Sequence, residues 1–154
     1  MHSNSYKHRG VMAMLALALA SGGLASSAMA QDSMERLAAP EDAKVYFISP
    51  ADGDTVSSPV TVRMGLEGMG VAPSGVEMED TGHHHVLIDT PLESLDLDAP
   101  LPATDNTVHF GGGQTETTLE LEPGEHTLQL LFNDYRHVSF DPPVASDVIT
   151  IQVE

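Results

Sequence analysis

Gly82-His83-His84-His85-Val86-Leu87-Ile88-Asp89 is the stretch on which the reading of this chain turns. A short apolar run with β-branched residues, opened by Gly and closed by Asp, has the length and boundaries of a strand over 84–89. Side chains on a strand alternate between its two faces, so His83 and His85 point one way and His84 the other. At about 3.3 Å rise per residue, the Cα atoms of His83 and His85 stand roughly 6–7 Å apart, close enough for both rings to reach one metal ion.

Working outward, further β-type runs occupy 44–49 (KVYFIS), 60–66 (VTVRMGL), 107–110 (TVHF), 115–121 (TETTLEL), 125–132 (EHTLQLLF) and 147–153 (DVITIQV). Alternation puts Leu128, Leu130 and Phe132 on one face, and Val60, Val62, Met64 and Leu66 on another; it recurs in 147–153 with Val148. No helical pattern of ten or more residues occurs after the first thirty. Six or seven short strands with frequent Gly and Pro turns predict an all-β domain over 43–154, an immunoglobulin-like antiparallel β-sandwich. Ser49-Pro50-Ala51-Asp52-Gly53-Asp54 resembles the opening corner of many bacterial modules of that type. Leu121 to His126 resembles the turn entering their penultimate strand, where a Tyr often stands in the place of His126. Three long connections, 68–82, 90–106 and 133–146, exceed what a compact domain needs and are candidates for function.

That architecture sorts the histidines. Its third strand pairs antiparallel with its penultimate one, so the start of 83–89 meets the end of 125–132, beside Asp134 and His137. His126 then falls at the far end, about 20 Å away. The expected cluster is His83, His85 and His137, with Asp134, Met78 or Asp80 as a fourth neighbour. Such a set suits copper or zinc. A thioether from Met78 tilts it to copper, and a carboxylate tilts it back to zinc or Cu(II). Against the metal stands an equally weighted reading, a hydrogen-bonded bracket that ties loops together. His109 opens another strand and the pairing argument does not place it. His109-Phe110-Gly111-Gly112-Gly113 is either a hairpin bend, the more favoured reading, or a rim of exposed amides. It lacks the Lys and the helix of a phosphate loop.

Bulk composition sets the compartment. Lys7 and Arg9, the apolar run Val11–Ala20 and Ala28-Met29-Ala30 have the form of a cleavable export signal over 1–30, with cleavage after Ala30. The apolar run is too short to span a bilayer, so no membrane anchor is expected after cleavage, and the periplasm is the expected location. Residues 31–42 read as a short tether. Beyond residue 30 the chain has four basic residues (Arg36, Lys44, Arg63 and Arg136) against 23 acidic ones, a net charge of −19. Such a surface repels nucleic acid and anionic lipid, which require Lys or Arg to neutralise phosphates. With no cysteine, thiolate chemistry and disulfide staples are both excluded. Neither a nucleophile elbow nor an H-E-x-x-H helix is present.

Gly82–Asp89, His109–Glu116 (HFGGGQTE), Pro123–Leu130 (PGEHTLQL) and Asp141-Pro142-Pro143 before Ser146 together resemble an exported bacterial family known only as a domain of unknown function. The likeness covers about 44–153 and implies an exported β-rich domain with no established activity. Members often carry a second His in the stretch matching His137–Phe140; here Phe140 occupies that place. The Ser-Pro-Ala-Asp-Gly opening is also similar to periplasmic copper-resistance sandwiches, which place a His at the mature N-terminus where this chain has Gln31. The expectation is a periplasmic protein that sequesters or delivers copper, or else zinc, without turning over a substrate. Its rival is a non-metal module that contacts a periplasmic protein partner through 90–106 and 111–113, and a metal-dependent hydrolase comes third.

Overall fold

The computed structural model describes residues 34–154. The export signal expected over 1–30 and its cleavage site lie outside the described residues. Ten strands follow in order: β1 (Lys44–Ser49), β2 (Thr55–Val56), β3 (Val60–Glu67), β4 (Gly70–Val71), β5 (Thr81–Ile88), β6 (Thr107–His109), β7 (Glu116–Leu119), β8 (Gly124–Asn133), β9 (Ser139–Ala145) and β10 (Ile149–Val153). Among the described residues the only helical piece is a 3-10 turn at Leu92–Ser94.

The strands form two sheets with an apolar layer between them, the sandwich that the turn spacing predicts. One sheet runs β1-β3-β7; the other runs β2-β10-β8-β5-β4, with β6 added to β5 and β9 to β8. Most pairs are antiparallel, but β2 joins β10 and β4 joins β5 in parallel. Val60, Val62 and Met64 of β3 face Val86, Ile88, Leu128, Leu130 and Phe132 across the core, and all are buried. The 147–153 strand keeps its alternation with opposite parity. Ile149, Ile151 and Val153 face the core, while Val148 is 53 % exposed.

Two of the long connections contain structure that local pattern hides. The 133–146 segment holds β9, in which Asp141-Pro142-Pro143 bulges away from β8: the ladder jumps from Phe132↔Val144 to Asn133↔Ser139. Prolines in that gap remove no ladder hydrogen bond, so the strand tolerates them. The 90–106 segment lies over the outer face of the large sheet. Its Leu92, Leu95, Leu97 and Leu101 cover Leu87 and Leu131 in a second apolar cluster. The tether is likewise tied down: Ala38 bridges Asp141 in parallel, and the Arg36 guanidinium donates to the carbonyls of Ser139 and Phe140.

At the far end of β8, His126 is the corner residue that its turn predicts. Its Nδ1 lies 2.7 Å from Asp89 Oδ2 and its Nε2 lies 2.9 Å from the Glu122 carbonyl, while Thr127 N donates to Asp89 Oδ1 at 2.8 Å. Both ring nitrogens face acceptors, so the protonated ring satisfies both, and the hydrogen bond to Asp89 raises its pKa above 6.5. Burial pushes the Asp89 carboxyl upward, but the hydrogen bonds from Thr127 and His126 outweigh it and hold the group below 3.8. A raised histidine stabilises the fold fully below its unfolded value and loses that contribution as pH rises through the folded one. A lowered carboxyl does the reverse on the acid side. The latch is therefore strongest between about pH 4 and 6.5. His126→Gln is expected to cost the metal-free protein roughly 1 kcal/mol at pH 5.5, discounted because Asp89 is 42 % exposed. Urea midpoints at pH 5.5 and pH 9 should show that gap shrink at the higher pH; an equal gap at both would count against the latch.

Candidate metal centre

The antiparallel pairing that places the histidines is present, with His83 opposite Asn133, His84 opposite Phe132 and His85 opposite Leu131. Paired residues share a face. His84, Val86 and Ile88 therefore point into the sandwich, where the His84 ring meets Phe132 edge-on at 5.0 Å between centroids. His83, His85 and Leu87 point outward, beside the cluster covered by the 90–106 segment.

Two more histidines join this outer face. β6 runs antiparallel to β5 with His109 opposite His85, which brings the histidine left unplaced by the sequence into the group. Gly111 permits the approach, because a Cβ there would lie 2.7 Å from His109 Nε2. His137 comes from the turn between β8 and β9 and has φ of +69°, a left-handed conformation uncommon outside Gly, Asn and Asp. Asp134 builds that turn. Its Oδ1 accepts from the backbone N–H groups of Arg136 at 2.7 Å and Val138 at 3.1 Å, and its Oδ2 holds the Arg136 guanidinium at 2.6 Å. The His137 carbonyl is fixed in turn by Asn133 Nδ2 at 3.0 Å and Leu101 N at 2.9 Å.

Four imidazoles thus lie together on this face, and three of them, without His85, bring ligand atoms to one place. Ring centroids lie 4.9 Å apart for His83–His85 and His83–His137, 5.0 Å for His83–His109, 5.1 Å for His85–His109 and 4.6 Å for His109–His137. His85 lies further from His137, at 6.1 Å. His83, His109 and His137 each offer a ligand atom, all within 4.8 Å of one another, so this triad could hold a metal ion. His109 Nε2 and His137 Nε2 are 3.0 Å apart, and Ser74 Oγ lies 3.0 Å from the same His137 nitrogen. Donors on an ion with bonds of about 2.0–2.1 Å stand roughly 3–4 Å apart, so the close pair already fits and the widest separation needs only a small closure.

Of the other sequence candidates, Asp134 has no exposed surface and is committed to Arg136 and the turn. Met78 is 61 % exposed and lies with Leu37, Tyr135 and Phe140 in a surface groove, whose acidic edge includes Asp80. Neither is among the three converging donors.

Burial favours the neutral form of His83, His85 and His109, the form that a metal ligand needs. Burial first, then the neighbouring His137 and His109 rings, lowers the His83 pKa to about 4 against a smaller upward pull from Asp134. His85 is lowered to about 2 by burial and then by the His83, His109 and His137 rings, and His109 is lowered by burial and by His137. Neither ring nitrogen of His83 or His85 has a hydrogen-bond partner, although both residues are wholly buried. Leaving a buried polar atom unpaired costs about 1–3 kcal/mol; both nitrogens of His84 on the core side are unpaired as well, and at His83, within the converging triad, a bound ion would relieve that cost. His109 and His137 are only partly buried and mark the open side of the cluster.

No curated protein and no solved structure matches the chain. The family described as "Domain of unknown function (DUF4399)" matches residues 62–154, which include every histidine of the cluster. That span is more than half of the chain, from β3 to the C-terminal residue, and this protein belongs to the DUF4399 family.

Proposed function

We propose that this is an exported, periplasmic metal-binding protein. It holds one copper ion, or zinc as second choice, through His83, His109 and His137, with His85 beside them as a fourth imidazole. Its role is to sequester the ion or pass it to a protein partner. The observation that carries the reading is the convergence of donor atoms from His83, His109 and His137, with His83 wholly buried and both of its ring nitrogens unpartnered. In an all-nitrogen site the intrinsic affinity order of divalent ions places Cu(II) above Zn(II). With no cysteine in the chain and Met78 exposed in a separate surface groove, the set suits Cu(II) better than Cu(I). The acidic surface supports the same reading, because a net charge of −19 beyond residue 30 raises the local concentration of cations.

Calorimetric titration of the 31–154 protein tests this. One equivalent of Cu(II) should bind more tightly than micromolar, Zn(II) more weakly and Cu(I) weakest of the three. Binding of several equivalents with no step at one would point to surface carboxylates and reject the site.

A further inference from the structure

Asn133 carries a second unpaired atom beside the cluster. Its side chain is wholly buried, and its Nδ2 is fixed on the His137 carbonyl at 3.0 Å. That hydrogen bond orients the amide, yet Oδ1 has no hydrogen-bond partner. Asn133 is also the register partner of His83, so the two side chains stand side by side on one face of the sheet. Both ring nitrogens of His83 are unpaired as well. A single imidazole cannot satisfy both of its nitrogens with one ion. The nitrogen turned away from the metal keeps its proton and needs an acceptor, and metal-bound histidines almost always find one in a carboxylate, a carbonyl or a water.

We infer that Asn133 is the positioning residue of this centre: its Oδ1 accepts the N–H of metal-bound His83 while its Nδ2 holds the turn that presents His137. The inference rests on the metal-binding reading above. One amide side chain would then fix the tautomer and ring orientation of one ligand and the backbone position of another. The arrangement accounts for the unpaired atoms of His83 and Asn133 together, the metal taking one imidazole nitrogen and the amide oxygen the proton on the other.

The test uses zinc as the probe, since it is diamagnetic, and reads ring protons and nitrogens by NMR in 15N-histidine-labelled protein. In the zinc-loaded wild type, His83 should show a downfield, slowly exchanging ring N–H in contact with Asn133. Asn133→Leu should lose that signal and bind zinc about 10–100-fold more weakly. Asn133→Asp keeps an acceptor for the His83 N–H but turns the contact with the His137 carbonyl from a hydrogen bond into an acceptor–acceptor repulsion, which Leu101 N offsets in part. It should therefore retain the N–H signal, with an affinity between those of the wild type and Asn133→Leu. A purely structural Asn133 would make both variants fall together, with no change in the His83 signal, and would overturn the inference. A wild type whose zinc-bound His83 shows no protected N–H would overturn it without any variant. Calorimetry showing no zinc binding to the wild type would instead remove the metal-binding reading, and this role with it.

Discussion

His109→Ala is expected to weaken Cu(II) binding by more than about 100-fold, the upper end of what loss of a supporting residue costs a metal site. His109 is a ligand in this account, held opposite His85 by a three-residue strand and only 3.0 Å from His137 Nε2. It is only partly buried and outside the apolar core, so the fold should survive its truncation with little loss. His126→Ala is the matched control, since His126 is held at the opposite end of β8 by Asp89 and Glu122. Competition against a chelator of known affinity would measure both. Equal affinities for the two variants would remove His109 from the site.

The second large effect is thermal. An ion that binds only the folded protein stabilises it by about 4.1 kcal/mol at a free concentration 1,000 times the dissociation constant. In a domain of this size that corresponds to a rise in Tm of roughly 10–15 °C. The rise should be absent in His83→Ala/His137→Ala and should reverse on adding EDTA. Surface carboxylates cannot imitate it, because they bind cations weakly in folded and unfolded chains alike and the two contributions largely cancel. Differential scanning calorimetry with and without Cu(II) reads the effect directly. A shift below 2 °C at saturation would mean that the ion is not held by the fold.

Much of the site could be read from the chain because one pairing rule placed it. Once 83–89 pairs with 125–132, His83 and His85 must lie near the turn that carries His137, and His84 must face the core. What escaped depends on contacts that no local pattern encodes. His109 belongs to a strand of three residues, too short for alternation to declare its partner, and its approach depends on Gly111 leaving room for the ring. The one available signal is a histidine separated by one residue from three glycines, a composition that a hairpin bend explains better. β9 was hidden by Asp141-Pro142-Pro143, which reads as a loop until the ladder is seen to skip those residues. The leucines of 90–106 follow no strand or helix period because they pack as individuals on the outer face. Val148 shows the limit of parity arguments: the strand begins at Ile149, two residues later than expected, and its core face is Ile149, Ile151 and Val153, which leaves Val148 outside.

X-ray absorption at the copper edge on protein loaded with one equivalent of Cu(II) tests the central claim most directly. The account predicts three or four nitrogen donors near 2.0 Å with the outer-shell scattering of imidazole rings. A first shell of oxygen without imidazole scattering would show the ion on the acidic surface, and the histidine cluster would not be a metal centre.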